Sequence, residues 1–329
     1  MRTLAVLFAI SAAAFAQEAG PSVTNARFET RAFSGDLAAQ IRAGSATWFG
    51  YAVRTMPGDR STCGSAVLSG GSFPVGTVHL EAPPTVDIVF RVENNTVQKI
   101  GVYSTDCSLD AGGLRFVWIT DVPAKASLAY LQTMVSENGP DHTADSAILA
   151  ISMHEDAQAT GILEQLARPP AAQRIREKAI FWLGANRGAR GVAVLKNLLE
   201  TDPSDQIRDK AVFALSISKQ PDALDPIIRA AHNDSSPHVR AQALFWLGQK
   251  AGDRAAAAIV GAIENDPDTE VKKKAVFALS QLPKDEAVSK LIEVARNQRN
   301  REVRKQAFFW LGQSGDPRAL AFIEQTLMR

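Results

Sequence analysis

Residues 239–248 read Val-Arg-Ala-Gln-Ala-Leu-Phe-Trp-Leu-Gly, and residues 303–312 read Val-Arg-Lys-Gln-Ala-Phe-Phe-Trp-Leu-Gly. The two stretches lie two steps of 32 residues apart, and the frame recurs at every step between and before them. Ile175-Arg176, Ile207-Arg208, Val239-Arg240, Val271-Lys272 and Val303-Arg304 open successive units. Four positions on stand Ala179, Ala211, Ala243, Ala275 and Ala307; eight on stand Leu183, Leu215, Leu247, Leu279 and Leu311. Apolar residues at those offsets share one helical face, so each unit begins with a helix carrying a buried stripe. Thr143, Ala147 and Ile151 make a weaker sixth unit. A second helix is marked by Leu163, Leu195, Ile227, Ile259, Leu291 and Ile323 at the same step. Gly312 and Asp316-Pro317 supply a stop and a start signal, and Asp202-Pro203 and Asp266-Pro267 punctuate the links. Two antiparallel helices per unit, stacked side by side, predict an α-solenoid over residues 141–329. Leu131 lies one step before Leu163, so residues 123–140 read as a capping helix (about Ala126–Ser136) and a linker.

The order apolar-Arg, Ala and Leu-Gly resembles HEAT-like repeats of the phycobilisome-lyase type. The resemblance implies armadillo-type helical stacking. It implies no single activity, because this repeat serves scaffolds, chromophore lyases and hydroxylases alike. It also implies that Arg176, Arg208, Arg240, Lys272 and Arg304 bond acidic or carbonyl groups in the inter-unit turns, with Asp205, Asp234 and Asp268 as the expected acids.

A longer rhythm overlies the repeat. Phe-Trp-Leu-Gly (181–184, 245–248, 309–312) alternates with Phe-Ala-Leu-Ser (213–216, 277–280), so bulky Trp182, Trp246 and Trp310 alternate with small Ala214 and Ala278. Large beside small is how adjacent layers interdigitate. Phe181, Phe213, Phe245, Phe277 and Phe309 lie off the Ala-Leu stripe. They either fill the seam between neighbouring first helices or form an exposed aromatic contact surface.

The rest of the chain differs in character. Met1–Ala16 has a basic start, a short apolar run and an Ala-Phe-Ala end, which reads as a signal peptide and predicts an exported, periplasmic or secreted protein. In that setting Cys63 and Cys107 read as one disulfide. Residues 17–122 read as a small β-rich domain with strands at Thr47–Arg54, Thr77–Glu81, Val86–Glu93, Val97–Tyr103 and Leu114–Val122. Asn94-Asn95 is the expected hairpin turn, Phe28–Phe33 a further strand and Asp36–Ala43 a short helix.

Function is read mainly by what the residues do not assemble. Across 329 residues, 36 Lys plus Arg face 35 Asp plus Glu, which argues against a dedicated nucleic-acid binder. The five histidines (His79, His142, His154, His232, His238) show no HExxH spacing. His154-Glu155 is a single His-Glu pair, whereas a HEAT-fold hydroxylase needs several; Ala185-Asn186 and Gln249-Lys250 stand near the matching positions, within one residue of the 32-residue step. Cys107–Gly113 is a loop that either nests an anion or simply turns. No catalytic residue, metal or cofactor is assigned, and the expectation is a chain that is not an enzyme. The predicted function is protein–protein interaction or scaffolding in the periplasm or cell envelope, with a protein or peptide partner, no nucleic acid and no membrane span. The candidate contact residues are the Phe181–Phe309 series and the second-helix positions Arg229, His232, Glu264, Glu293 and Arg296. The rival is an enzyme, either of the HEAT-fold hydroxylase or lyase kind or with a site near Asp110, His79 or Glu81 in the N-terminal region.

Overall fold

The computed structural model describes residues 20–42, 47–56, 63, 84–135, 141–250 and 252–328. The expected signal segment, the strand at Thr77–Glu81 with His79 and Glu81, and residues 136–140 of the linker lie outside the described residues.

The N-terminal region folds as β1 (Ser22–Thr24), β2 (Arg27–Ala32), α1 (Leu37–Arg42), β3 (Thr47–Arg54), β4 (Thr85–Glu93), β5 (Thr96–Ser104), β6 (Ser108–Asp110) and β7 (Arg115–Thr120). Five strands form one sheet in the order β2-β7-β3-β4-β5, and β1 pairs with β6 alone. Asn94 and Asn95 both have positive φ, 48° and 59°. That pair of left-handed residues is the two-residue turn that matches strand twist, and it joins β4 to β5 as a hairpin. The β2–β7 and β3–β7 pairings are parallel, which requires long connections rather than tight turns. Local patterning carries no signal for them.

Helix α2 (Ala124–Met134) follows, then six helix pairs. The first helices are α3 (Asp141–Met153), α5 (Gln173–Asn186), α7 (Asp205–Ile217), α9 (Pro237–Gly248), α11 (Thr269–Ser280) and α13 (Arg301–Gln313). The second helices are α4 (Ala157–Leu166), α6 (Gly188–Thr201), α8 (Leu224–Asn233), α10 (Asp253–Asn265), α12 (Lys284–Asn297) and α14 (Pro317–Leu327). First helices pack on first helices in sequence order, and each pairs with its own second helix, so the predicted α-solenoid is the observed architecture. Helix starts are chemically specified. Asp156, Ser204, Asp268, Asn300 and Asp316 each accept a backbone N–H from the first turn of the helix that follows. Pro237 and Pro317 occupy first helical positions, where no N–H is needed.

The repeated Ala and Leu positions are buried throughout, from Ala147 and Ile151 to Ala307 and Leu311. The sheet is not packed apart from them. Tyr51, Ile88 and Phe90 on one of its faces meet Leu128, Tyr130 and Leu131 of α2, and the same core runs on through α3 to Phe322. A smaller cluster of Val89, Ala111, Phe116 and Trp118 covers the other face.

Candidate functional site

Three interlocking features define the solenoid's surface. The first is an arginine ladder. Arg208 donates Nε and Nη2 to the two carboxylate oxygens of Asp234, both at 2.8 Å. Arg240 clamps Asp266 the same way at 2.7 and 3.0 Å, and Arg176 pairs with Asp202. Each acid lies 26 residues beyond its arginine, at the entrance to the next unit, and no side chain of the three pairs is more than 11% exposed. Bidentate geometry makes these charge-assisted bonds specific as well as strong. The acids also hold the links in their turns, because Asp202, Asp234 and Asp266 each accept the backbone N–H two residues on. The upstream turn contributes carbonyls instead. Arg208 Nη1 donates to Asp202 O, and Arg240 Nη1 donates to Asp234 O. Of the acids expected upstream, Asp234 therefore serves Arg240 only through its carbonyl. Asp205 accepts from Ser236 Oγ and Asp268 caps α11, so neither closes a rung. The arginine reaches across to the neighbouring unit because first helices, not sequence neighbours, lie beside it.

The ladder changes at its fourth rung. Lys272 replaces arginine and donates to Glu264 O, while Gln298 stands 26 residues on, where an acid would be. Gln298 Oε1 still accepts from Asn300 N, and its amide donates to Ile263 O. The acid is gone and the cation is now a lysine, half-exposed and bonded to a carbonyl, so neither rung position holds an unpaired buried charge.

The second feature is an aromatic seam along the first helices. Phe181 stacks on Phe213 with ring centroids 6.1 Å apart, and Phe245 stacks on Phe277 at 6.3 Å. Phe213 and Phe277 in turn meet Trp246 and Trp310 of the following units at 5.0 and 5.1 Å. Phe181, Phe213, Phe245 and Phe277 are half-buried, and Phe309 is 53% exposed. The rings thus pack in the seam and keep part of their surface open to solvent.

The third feature is close backbone approach. A Cβ on Gly248 would sit 2.8 Å from Ala278 O, and Gly184 is tighter still against Ala214 O. Glycine there lets each Trp-bearing helix close against the next, Ala-bearing one.

The second-helix candidates are spread rather than gathered. Arg229 lies 3.7 Å from Glu200 and lines a groove of about 470 Å³ with Arg208, Asn233 and Asp234. His232 packs beside Gly261, Glu264 and Glu293 are exposed, and Arg296 stacks over Phe322 at 5.4 Å.

At the junction of sheet and solenoid, His154 and Glu155 point to different environments. His154 is buried, with Nδ1 2.8 Å from Ala150 O and Nε2 2.9 Å from Ser127 Oγ. A carbonyl only accepts, so Nδ1 carries the proton, Nε2 accepts from Ser127, and Ser127 accepts from Tyr51 OH at 2.8 Å. Burial is the main cause that lowers the His154 pKa to about 4, helped by nearby Arg187. Glu155 instead pairs with Arg54 at the surface. Ser127, Tyr51 and Arg187 escape sequence reading, since nothing local ties residues 27, 103 and 33 positions from His154 to it.

In the N-terminal region Cys63 and Cys107 form the expected disulfide, with Cα atoms 5.1 Å apart. Together with the Asp106 carboxylate, their sulfurs lie within 4.8 Å of one another. In the loop read as an anion nest, Asp110 Oδ1 itself accepts from Gly112 N, so that donor is already used in the turn.

A model of HEAT repeats matches residues 159–248, 192–265, 224–308 and 256–328. No curated protein matches the chain. Among solved structures, human deoxyhypusine hydroxylase is 18% identical over 58% of this chain and 74% of its own, at a TM-score of 0.33. Escherichia coli YibA is 17% identical over 62% of this chain and 76% of its own, at 0.37. The CpcE–CpcF phycocyanin lyase complex of Nostoc is 20% identical over 62% of this chain and 84% of its own, at 0.32.

Two expectations are corrected. The expectation of a chain that is not an enzyme gives way to the Cys63, Asp106 and Cys107 group, whose three ligand-capable atoms lie within 4.8 Å of one another. The exported, periplasmic or secreted location is withdrawn: the segment that suggested it lies outside the described residues, and no comparison supports it. The repeat matches run without a break over residues 159–328, more than half of the chain, and the protein belongs to the HEAT-repeat family.

Proposed function

We propose that the chain is a protein-binding solenoid that receives its partner along the first-helix edge. The aromatic seam carries this reading: half-exposed rings run in contact from Phe181 to Phe309 on a frame stiffened by buried ion pairs. Aromatic rings on a pre-formed frame supply contact area at little ordering cost, which is what binding hot spots need. Lys178 and Lys274 stand three residues before Phe181 and Phe277, exposed on the same face. Co-purification of the full chain after in-cell cross-linking tests the reading. The same partner is expected with the unaltered chain and with Arg229→Glu plus Glu293→Lys, but not with Lys178→Glu plus Lys274→Glu. Recovery of no reproducible partner, or equal recovery with all three chains, overturns it.

A second reading rests on Cys63, Asp106 and Cys107. When the disulfide is reduced, two thiolates and a carboxylate make a three-ligand set suited to a borderline metal such as zinc. Titrating the reduced chain with cobalt tests it. A thiolate-to-metal absorption band that Cys63→Ser removes supports a reactive or metal-holding N-terminal region, and its absence eliminates that reading.

A further inference from the structure

A second row of ion pairs crosses the first helices, and it breaks in the middle of the solenoid. Asp145 of α3 takes Arg174 at 2.5 Å and Lys178 at 2.9 Å from α5, and Glu177 of α5 lies 4.0 Å from Lys210 of α7. Each acid thus meets the lysine 33 residues on, in the next first helix. The same step then fails twice. Asp209 of α7 has neutral Gln242 opposite it on α9, and Lys274 of α11 has Ala241 opposite it. Neither the Asp209 carboxylate nor the exposed Lys274 ammonium makes a hydrogen bond or ion pair among the described residues. Burial is the main cause that raises the Asp209 pKa, against the pull of His238 and Lys210. The row does not resume beyond the break, because Lys273 and Lys305 take acids of their own helices, Glu270 and Glu302.

The break lies on the aromatic seam. Asp209 stands four residues before Phe213 and Lys274 three before Phe277, so each shares a helical face with its ring. Phe245 lies between them, and all three rings are half-buried. The result is an apolar strip with a spare negative charge at one end and a spare positive charge at the other. Packed helices lie about 8–10 Å apart, which sets the two charges roughly 16–20 Å apart. A helix covers that distance in about 11–13 residues. The rings offer no backbone hydrogen bonds, so a segment lying on them must satisfy its own backbone, as a helix does.

We propose that the seam from α7 to α11 docks one amphipathic helix of a partner protein, apolar toward Phe213, Phe245 and Phe277, basic at the Asp209 end and acidic at the Lys274 end. The charges fix direction as well as place, because the reversed helix sets like charges together. The inference rests on the protein-binding reading and narrows it to one partner shape in one orientation.

The probe is a labelled synthetic amphipathic peptide of about five helical turns, with leucines on one face, glutamate in its first turn and lysine in its last. Fluorescence anisotropy with the full chain should show saturable binding. Peptides with glutamate at both ends, or lysine at both, should bind about tenfold more weakly or worse. Ala241→Glu plus Gln242→Lys supplies both missing partners within the chain and should raise Kd about tenfold with no loss of Tm. Asp209→Lys plus Lys274→Glu should bind the same peptide turned round. A photoreactive residue at its glutamate end should then cross-link near Phe213, where the unaltered chain is cross-linked near Phe277. No saturable binding, equal Kd for the three peptides, an unchanged Kd with the restored row, or an unturned cross-link overturns the proposal. So does sedimentation showing that the seam is covered by a second copy of the chain. Such a failure beside a partner lost only from the Lys178→Glu plus Lys274→Glu chain would remove the charge-directed helix and leave the protein-binding reading intact.

Discussion

In the ladder, each buried carboxylate is met by hydrogen bonds from both an arginine and the backbone of its own link. Asp266 takes two bonds from Arg240 and one from the backbone of its own link, so both of its carboxylate oxygens are engaged. Removing one partner of such a pair strands the other charge. Asp266→Asn should therefore cost about 3 kcal/mol by denaturant melt, against about 1 kcal/mol for Asp268→Ala, which loses a helix cap at the exposed end of the same turn. Equal losses would show that the ladder is a surface feature. His154 makes a pH-dependent contribution. Its folded pKa of about 4 lies below the unfolded 6.5, so the unfolded chain binds the extra proton first as the solution is acidified. The stability it contributes is complete above pH 6.5 and is lost progressively down to about pH 4, a change on the order of 3 kcal/mol. His154→Gln should flatten that slope. A profile with the same slope in both chains would mean that another group titrates.

Among the elements, the sign of a glycine substitution depends on what faces it. Gly184 and Gly248 lie against the backbone of the next first helix, whereas Gly312 faces open space. Gly248→Ala should lower stability by at least about 1 kcal/mol, because Ala278 O must move. Gly312→Ala should raise it by about 0.5–1 kcal/mol, the ordinary gain of alanine over glycine in a helix. The same direction for both in thermal melts would refute the close-approach argument. The helices themselves were legible because Ala and Leu recur on one face at a constant step, and a stripe that buries in one unit buries in all. The rungs were legible only in their arginines. Each acid lies across the interface, whereas the upstream turn offers Asp205 and Asp268 instead of Asp202 and Asp266. The parallel strand pairings and the Tyr51–Ser127–His154 chain stayed hidden for the same reason, since they join residues that only the folded stack brings together.

For the molecule as a whole, one continuous core ties the sheet to the repeats through α2 and α3, so the N-terminal region packs onto the first repeat rather than standing apart from the stack. The seam and the ladder repeat one interface from unit to unit. This is why the protein reads as a binding surface rather than as a pocket. Placing a photoreactive amino acid at positions 178 and 274, beside the seam, and at 229 and 293, on the second helices, tests that claim most directly. Irradiation of cells should join the 178 and 274 chains to one common protein and leave the other two largely unreacted. Cross-links confined to 229 and 293, or no cross-linked protein from any position, would contradict it.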